Sequence, residues 1–411
     1  MFKKFFLIFF LIFQIYSKLE AQNFPIEVSQ YEFINYDKNY LEFYGDSSNF
    51  EKLYTKIDSL LFLGEGQITI VQIGASHTQA DVFSAQVRKR FQNFDYGNNA
   101  GRGYVFPYKM MNTNNPYDYY TKHTGNWIVS RNVDGNNTLL GLTGISSTTY
   151  DSTATFSVFL RNNDTEIQHS FNRIKLIHTS DTLNFIPTLD LDTALFTRII
   201  NFDKGYTEFF LDNYYTKVDF ILEKKSPTQN YFSLFGIFLE NDEPGFIYHP
   251  MGINGASTKS VLQCSFFEQH LKIVNPDLII IDLGTNDGYT SKFDSVAYET
   301  NYTTIIEKIK SVNSDIAIVA FVPNDCYLYK KRANPATATQ ERILKRISEK
   351  QNIAVWNKYE IMGGFNSSLT WYKNLLMTYD RVHFTNAGYQ LLGDMFFNAF
   401  INSYNFHLEK I

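Results

Sequence analysis

The chain has 411 residues, 44% of them hydrophobic and 17% aromatic, with a formal net charge of −5. That length exceeds one small core and suggests two domains. The acidic balance, with no basic cluster beyond short runs such as Lys330-Lys331-Arg332, argues against nucleic acid as a partner.

Lys3 and Lys4 precede an apolar run, Phe5 to Tyr16, interrupted only by Gln14. This pattern reads as a secretory signal peptide over 1–21, cleaved after Ala21, with Ser17 as a second candidate site. The run is short for a membrane span. The mature chain is therefore expected to be soluble, periplasmic or secreted, with no membrane attachment after cleavage. An uncleaved N-terminal anchor is the alternative. Residues 23 to 66 read as a partly helical lead-in.

Ile68–Gly74 is a β-branched, nearly continuous apolar run, the pattern of a buried parallel strand. A helix is expected from about Asp81 to Phe94. Between about Tyr120 and Gly245 the pattern changes to short alternating runs, such as Thr155 to Leu160, separated by polar turns. That predicts an antiparallel β-sandwich of about 120 residues. Beyond 245, strand-like runs return at Asp277–Gly284, Asp315–Pro323 and Ile353–Trp356. Helical patterns surround them at Thr258–Val274, Tyr298–Val312, Thr337–Lys350 and Asn386–Tyr404.

Such alternation predicts an α/β fold, a three-layer α/β/α arrangement around a parallel sheet. The expected division is one α/β domain in two parts, 22–120 and 246–411, with the β-sandwich inserted at 121–245. Cys264 and Cys326 make no disulfide framework and no CxxC zinc site. They read as two separate buried thiols, a bridge between them being the alternative.

Four short blocks carry the candidate chemistry: Gly74-Ala75-Ser76-His77, Gly252-Ile253-Asn254-Gly255, Gly284-Thr285-Asn286-Asp287 and Asp380-Arg381-Val382-His383. Ser76 follows a strand at the sheet edge where ligands gather, with a helix start nearby to favour negative charge. It could equally cap that helix. The three-residue spacing of Asp380 and His383 lets the carboxylate reach Nδ1 of the imidazole and leaves Nε2 free as a base. The competing reading is an Asp turn with an incidental histidine. Asn286 could donate to an oxyanion or supply turn chemistry. Gly255 could admit substrate close to backbone or simply make a turn. No GxSxG elbow occurs.

On these residues the chain resembles the SGNH/GDSL hydrolases, whose Ser, Gly, Asn and His blocks match Ser76, Gly255, Asn286 and His383. The continuation Ser76-His77-Thr78-Gln79-Ala80-Asp81, the stretches Gly101-Arg102-Gly103 and Gly252 to Ala256 and the inserted β region are similar to an exported bacterial branch that includes peptidoglycan O-acetylesterases. The resemblance implies a serine esterase with a triad of Ser76, Asp380 and His383. It also implies an oxyanion hole made by the Ser76 and Gly255 amides and the Asn286 side chain, with no metal and no cofactor. The implied partner is an acetylated glycan, peptidoglycan first and other acetylated polysaccharide second. The same residues could pass acetyl to another sugar rather than to water.

The family usually carries Asp where this chain has Ala75. That aspartate organises the loop rather than reacting, so restoring it is expected to leave activity equal or modestly higher. Ala75 also favours the rival reading, a non-catalytic glycan-binding protein that keeps the fold. Tyr119, Tyr120 and Trp127 lie near the domain junction, and at least one is expected to face the cleft.

Overall fold

The computed structural model describes residues 25–410, apart from 95–97, 114, 136–138 and 165. The expected signal peptide, 1–21, lies outside the described residues. A six-stranded sheet forms the centre: β1 (Leu41–Phe43), β2 (Gln67–Gly74), β3 (Gly245–Gly252), β4 (Leu278–Asp282), β5 (Ala317–Val322) and β6 (Ala354–Asn357). Their spatial order is β1-β6-β5-β4-β2-β3. All neighbours run parallel except β1, which is antiparallel to β6.

The helices that matter here are α1 (Ser48–Leu63), α2 (Ser76–Gln79), α3 (Val82–Gln92), α4 (Thr258–Val261), α5 (Phe267–Val274), α6 (Thr285–Gly288), α7 (Ser295–Val312), α8 (Ala336–Gln351) and α9 (Asn386–Leu408). Leu278 and Ile280 pack in one core with residues of α1, α3 and α9. Ile279 and Ile281 pack in the other with residues of α5, α7 and α8. Both faces of the central strand β4 are thus buried, which is why it reads as an unbroken apolar run.

The region between β2 and β3 supplies two antiparallel sheets. The larger orders strands 196–201, 206–215, 171–178, 232–240, 145–149 and 128–131, with 103–105 also pairing to 232–240. The smaller orders 119–123, 155–160, 217–223 and 186–189. Phe156 of the smaller sheet stacks near Phe232 of the larger at 6.3 Å, and Phe209 meets Phe220 edge-on at 6.3 Å. The two sheets therefore share an aromatic core, as a sandwich requires.

Three elements differ from the sequence expectation. The lead-in contributes the edge strand β1 as well as a helix. Strand β3 lies outside the expected strands, because glycines, His249 and Pro250 interrupt its apolar pattern although all eight residues are buried. The helix expected over Thr258–Val274 divides into α4 and α5. At the break, the Phe266 amide donates to Leu140 O at 2.9 Å, so the inserted region takes over backbone bonding there. Cys264 and Cys326 are both free and buried, and burial pushes each thiol up to about 12.

Candidate active site

Register brings the four blocks together. Gly74 of β2 lies opposite Gly252 of β3 on one side and Asp282 of β4 on the other. Adjacent strands are about 4.8 Å apart, so the loops that follow these three positions emerge side by side. Ser76, Gly255 and Asn286 lie on those loops. Gly74 is required by close approach: a Cβ there would sit 2.0 Å from Thr78 Oγ1, on the turn that carries Ser76.

Ser76 is the first residue of α2, so its amide has no acceptor within the helix. Its Oγ lies 2.9 Å from His383 Nε2. Nδ1 of the same ring is 2.7 Å from Asp380 Oδ2. The other Asp380 oxygen accepts from Thr378 Oγ1 at 2.7 Å, the Val382 amide at 2.8 Å and the His383 amide at 3.0 Å. Partial burial opposes ionisation of Asp380. The hydrogen bonds from the His383 side chain and from backbone amides outweigh it and hold the carboxyl well below its usual range. An ionised carboxylate at Nδ1 favours the tautomer with its proton on that nitrogen, leaving Nε2 to accept from the serine.

Gly255 adopts φ +87°, in the left-handed region, and is exposed. Its amide donates to no protein acceptor among the described residues. The preceding Asn254 amide donates to Gln79 Oε1 at 2.7 Å. Asn286 Nδ2 donates to Ala256 O at 2.8 Å, which occupies one of the amide's two N–H bonds and leaves the second. Asp287 accepts from Thr258 N at 3.1 Å and from Thr258 Oγ1 at 2.5 Å, fastening α6 to α4. Burial pushes the Asp287 carboxyl above its usual range despite those bonds.

Several contributors to this arrangement carry no sequence signal of their own. His77 is buried, with Nδ1 2.8 Å from Tyr389 Oη and its ring 5.2 Å from that of His383. Burial, reinforced by His383, pushes it down to about 3, so it stands as a neutral ring behind His383. Thr378 acts within its own turn, bonding Asp380 and His383 O, and Asp287 acts only through the tertiary contact with Thr258. Gln79 also acts through a tertiary contact, although its position one helical turn after Ser76 could have drawn attention to it.

The Gly101-Arg102-Gly103 stretch has a definite role. Arg102 and Arg88, both buried, reach Asp118 at 2.9 Å and 2.8 Å, and both also pair with Asp81. Asp81 ends the turn that begins at Ser76, and Asp118 directly precedes the first strand of the smaller inserted sheet. This buried network joins the serine turn to the inserted region.

Ala75 has its side chain buried in the same apolar core as Ile253 and Ala256. The loop is held instead by Ala75 O, which accepts from the amides of Thr78 at 3.2 Å and Gln79 at 2.9 Å. The junction aromatics also differ from expectation. Tyr119 is buried and bonds Phe106 O, and Trp127 packs on Phe156 and Phe232. Tyr120 stacks on Phe159 at 4.5 Å. What reaches the Gly255 loop from the insert is Val133, 3.8 Å from where a Cβ on Gly255 would stand.

Residues 233–391 match the model of the GDSL-like Lipase/Acylhydrolase family. A solved structure of a peptidoglycan O-acetylesterase superposes with a TM-score of 0.72 at 20% identity, covering 89% of this chain and 99% of that one. A GDSL-like lipase from Bacteroides thetaiotaomicron aligns over 38% of this chain and 76% of its own, with a TM-score of 0.30 and 19% identity. No curated protein matches the chain in sequence. The fold is that of the first of these solved structures, a three-layer α/β/α domain carrying an inserted β domain. The resemblance to the branch of peptidoglycan O-acetylesterases, read from Ser76–Asp81, Gly101–Gly103, Gly252–Ala256 and the inserted β region, thus extends to the architecture of most of the chain. No helix among the described residues is long and apolar enough to cross a membrane.

Proposed function

We propose that the protein is an exported serine esterase that removes O-acetyl groups from a carbohydrate, peptidoglycan being the favoured substrate. The observation that carries the proposal is the continuous chain from Ser76 Oγ through His383 to Asp380, with contacts of 2.9 Å and 2.7 Å. Ser76 attacks the acetyl carbonyl while His383 Nε2 takes the hydroxyl proton. Asp380 stabilises the resulting imidazolium. The amides of Ser76 and Gly255 and the free N–H of Asn286 receive the oxyanion. His383 then protonates the departing sugar oxygen, leaving an acetyl ester on Ser76. Water, deprotonated by His383, cleaves that ester and releases acetate.

The division at 22–120, 121–245 and 246–411 and the periplasmic or secreted location belong to the same proposal. Support for peptidoglycan comes from the fold-level likeness to a peptidoglycan O-acetylesterase. The test is mass spectrometry of protein quenched during turnover of an acetyl ester. An acetyl group on Ser76, absent from Ser76→Ala, is the expected result; turnover with the acetyl group on another residue would overturn the mechanism.

A further inference from the structure

A groove of about 440 Å³ lies between the catalytic domain and the inserted domain, lined by Ala80, Lys89, Asn386 and Gln390 on one side and Tyr117 and Arg161 on the other. Two of its lining residues lie close in sequence to the proposed triad: Ala80 is four residues beyond Ser76, and Asn386 is three beyond His383. Asn386 and Gln390 are one turn apart on α9, so their amides project from one face. Both side chains are exposed and have no protein partner among the described residues.

The charges around this groove are distributed unevenly. Arg88 pairs with Asp81 and Asp118, and Lys89 pairs with Asp164 and Glu166. Arg161 makes no ion pair among the described residues. Its guanidinium lies 5.2 Å over the Tyr120 ring, which is itself stacked on Phe159, and among the described residues its one hydrogen bond is a long 3.5 Å contact to Tyr117 O. The cation is therefore held in place by an aromatic support while most of its donors remain free.

We infer that this groove binds a carboxylate-bearing segment of the glycan polymer, Arg161 receiving a carboxylate and the Asn386 and Gln390 amides receiving hydroxyl or acetamido groups. This deepens the proposed function and rests on it. Peptidoglycan presents carboxylates along its length, as does polygalacturonate; neutral acetylated xylan does not. The groove holds the chain while the acetyl group occupies the active site, so a small ester would not use it.

The test measures binding in the full chain carrying Ser76→Ala, which needs no esterase activity. Co-sedimentation with insoluble peptidoglycan is compared for Ser76→Ala alone and combined with Arg161→Ala or Arg161→Lys, each checked by thermal melting. Loss of about tenfold in affinity with Arg161→Ala, as expected for one charge-assisted bond, and retention of most binding with Arg161→Lys support the inference. Unchanged binding with Arg161→Ala overturns it. If peptidoglycan is not bound but polygalacturonate is, with the same dependence on Arg161, the groove inference stands and the peptidoglycan reading falls. Binding of neither polymer, or equal binding of neutral xylan, overturns the inference. Chromogenic acetate turnover by the chain with Ser76 intact separately reports whether the esterase reading fails.

Discussion

Gln79 and Asn254 connect the two halves of the proposed oxyanion hole: the Gln79 side chain accepts the Asn254 amide at 2.7 Å. The turn that carries Ser76 therefore also sets the position of the loop that carries Gly255. Gln79→Ala is expected to lower kcat about tenfold with KM little changed, because it loosens a donor used mainly in the transition state. Steady-state kinetics on a chromogenic acetate would reveal this; a rise in KM alone would assign Gln79 to substrate binding.

For Ala75→Asp the structure gives a different expected outcome from the one the family pattern suggests. The side chain at 75 belongs to the same buried apolar core as Ile253 and Ala256. Burying a carboxylate there should cost about 1–3 kcal/mol of stability, visible as a lowered melting temperature, without a gain in rate. Higher activity at unchanged stability would mean that the loop can rearrange to hydrogen-bond the carboxylate.

Asn286→Ala is expected to reduce kcat by about 10²–10³. Asn286→Asp keeps the size but lacks the donor when ionised, and should be similarly deficient. Full activity in the Asp variant would remove Asn286 from the oxyanion role.

Acid should destabilise the protein well above the range where carboxylates titrate. Burial pushes His77, His169 and His270 down to about 3, and His178 and His249 down to about 4. Unfolded, each returns to about 6.5. Above that pH both states are neutral and stability is full. As pH falls below it, the unfolded chain binds protons that the folded chain excludes, and stability is lost progressively toward pH 4. The lowered Asp118 and Asp380 act in the same direction but only below the ordinary carboxylate range. The melting temperature should fall by at least about 5 °C between pH 7 and pH 5. A flat profile down to pH 4 would contradict this account.

The candidate site was legible in sequence because its four blocks follow strands or precede the last helix, and local pattern marks both. Parallel pairing then does what no single block can, setting Gly74 between Gly252 and Asp282. The supporting residues were not legible, since Gln79 and His77 gain their partners, Asn254 and Tyr389, only from the fold. The junction aromatics show the opposite error. Their composition suggests sugar contact, yet Tyr119 fills a core, Trp127 packs half-buried against one, and Tyr120 supports Arg161.

The central claim is that Ser76 is the nucleophile of an esterase. Its most direct test is the rate of acetate release from a chromogenic acetyl ester by the purified protein, compared with Ser76→Ala. The account predicts measurable turnover by the first and loss to background in the second, with both melting at nearly the same temperature. Equal rates for the two, or no turnover by the intact chain, would contradict it.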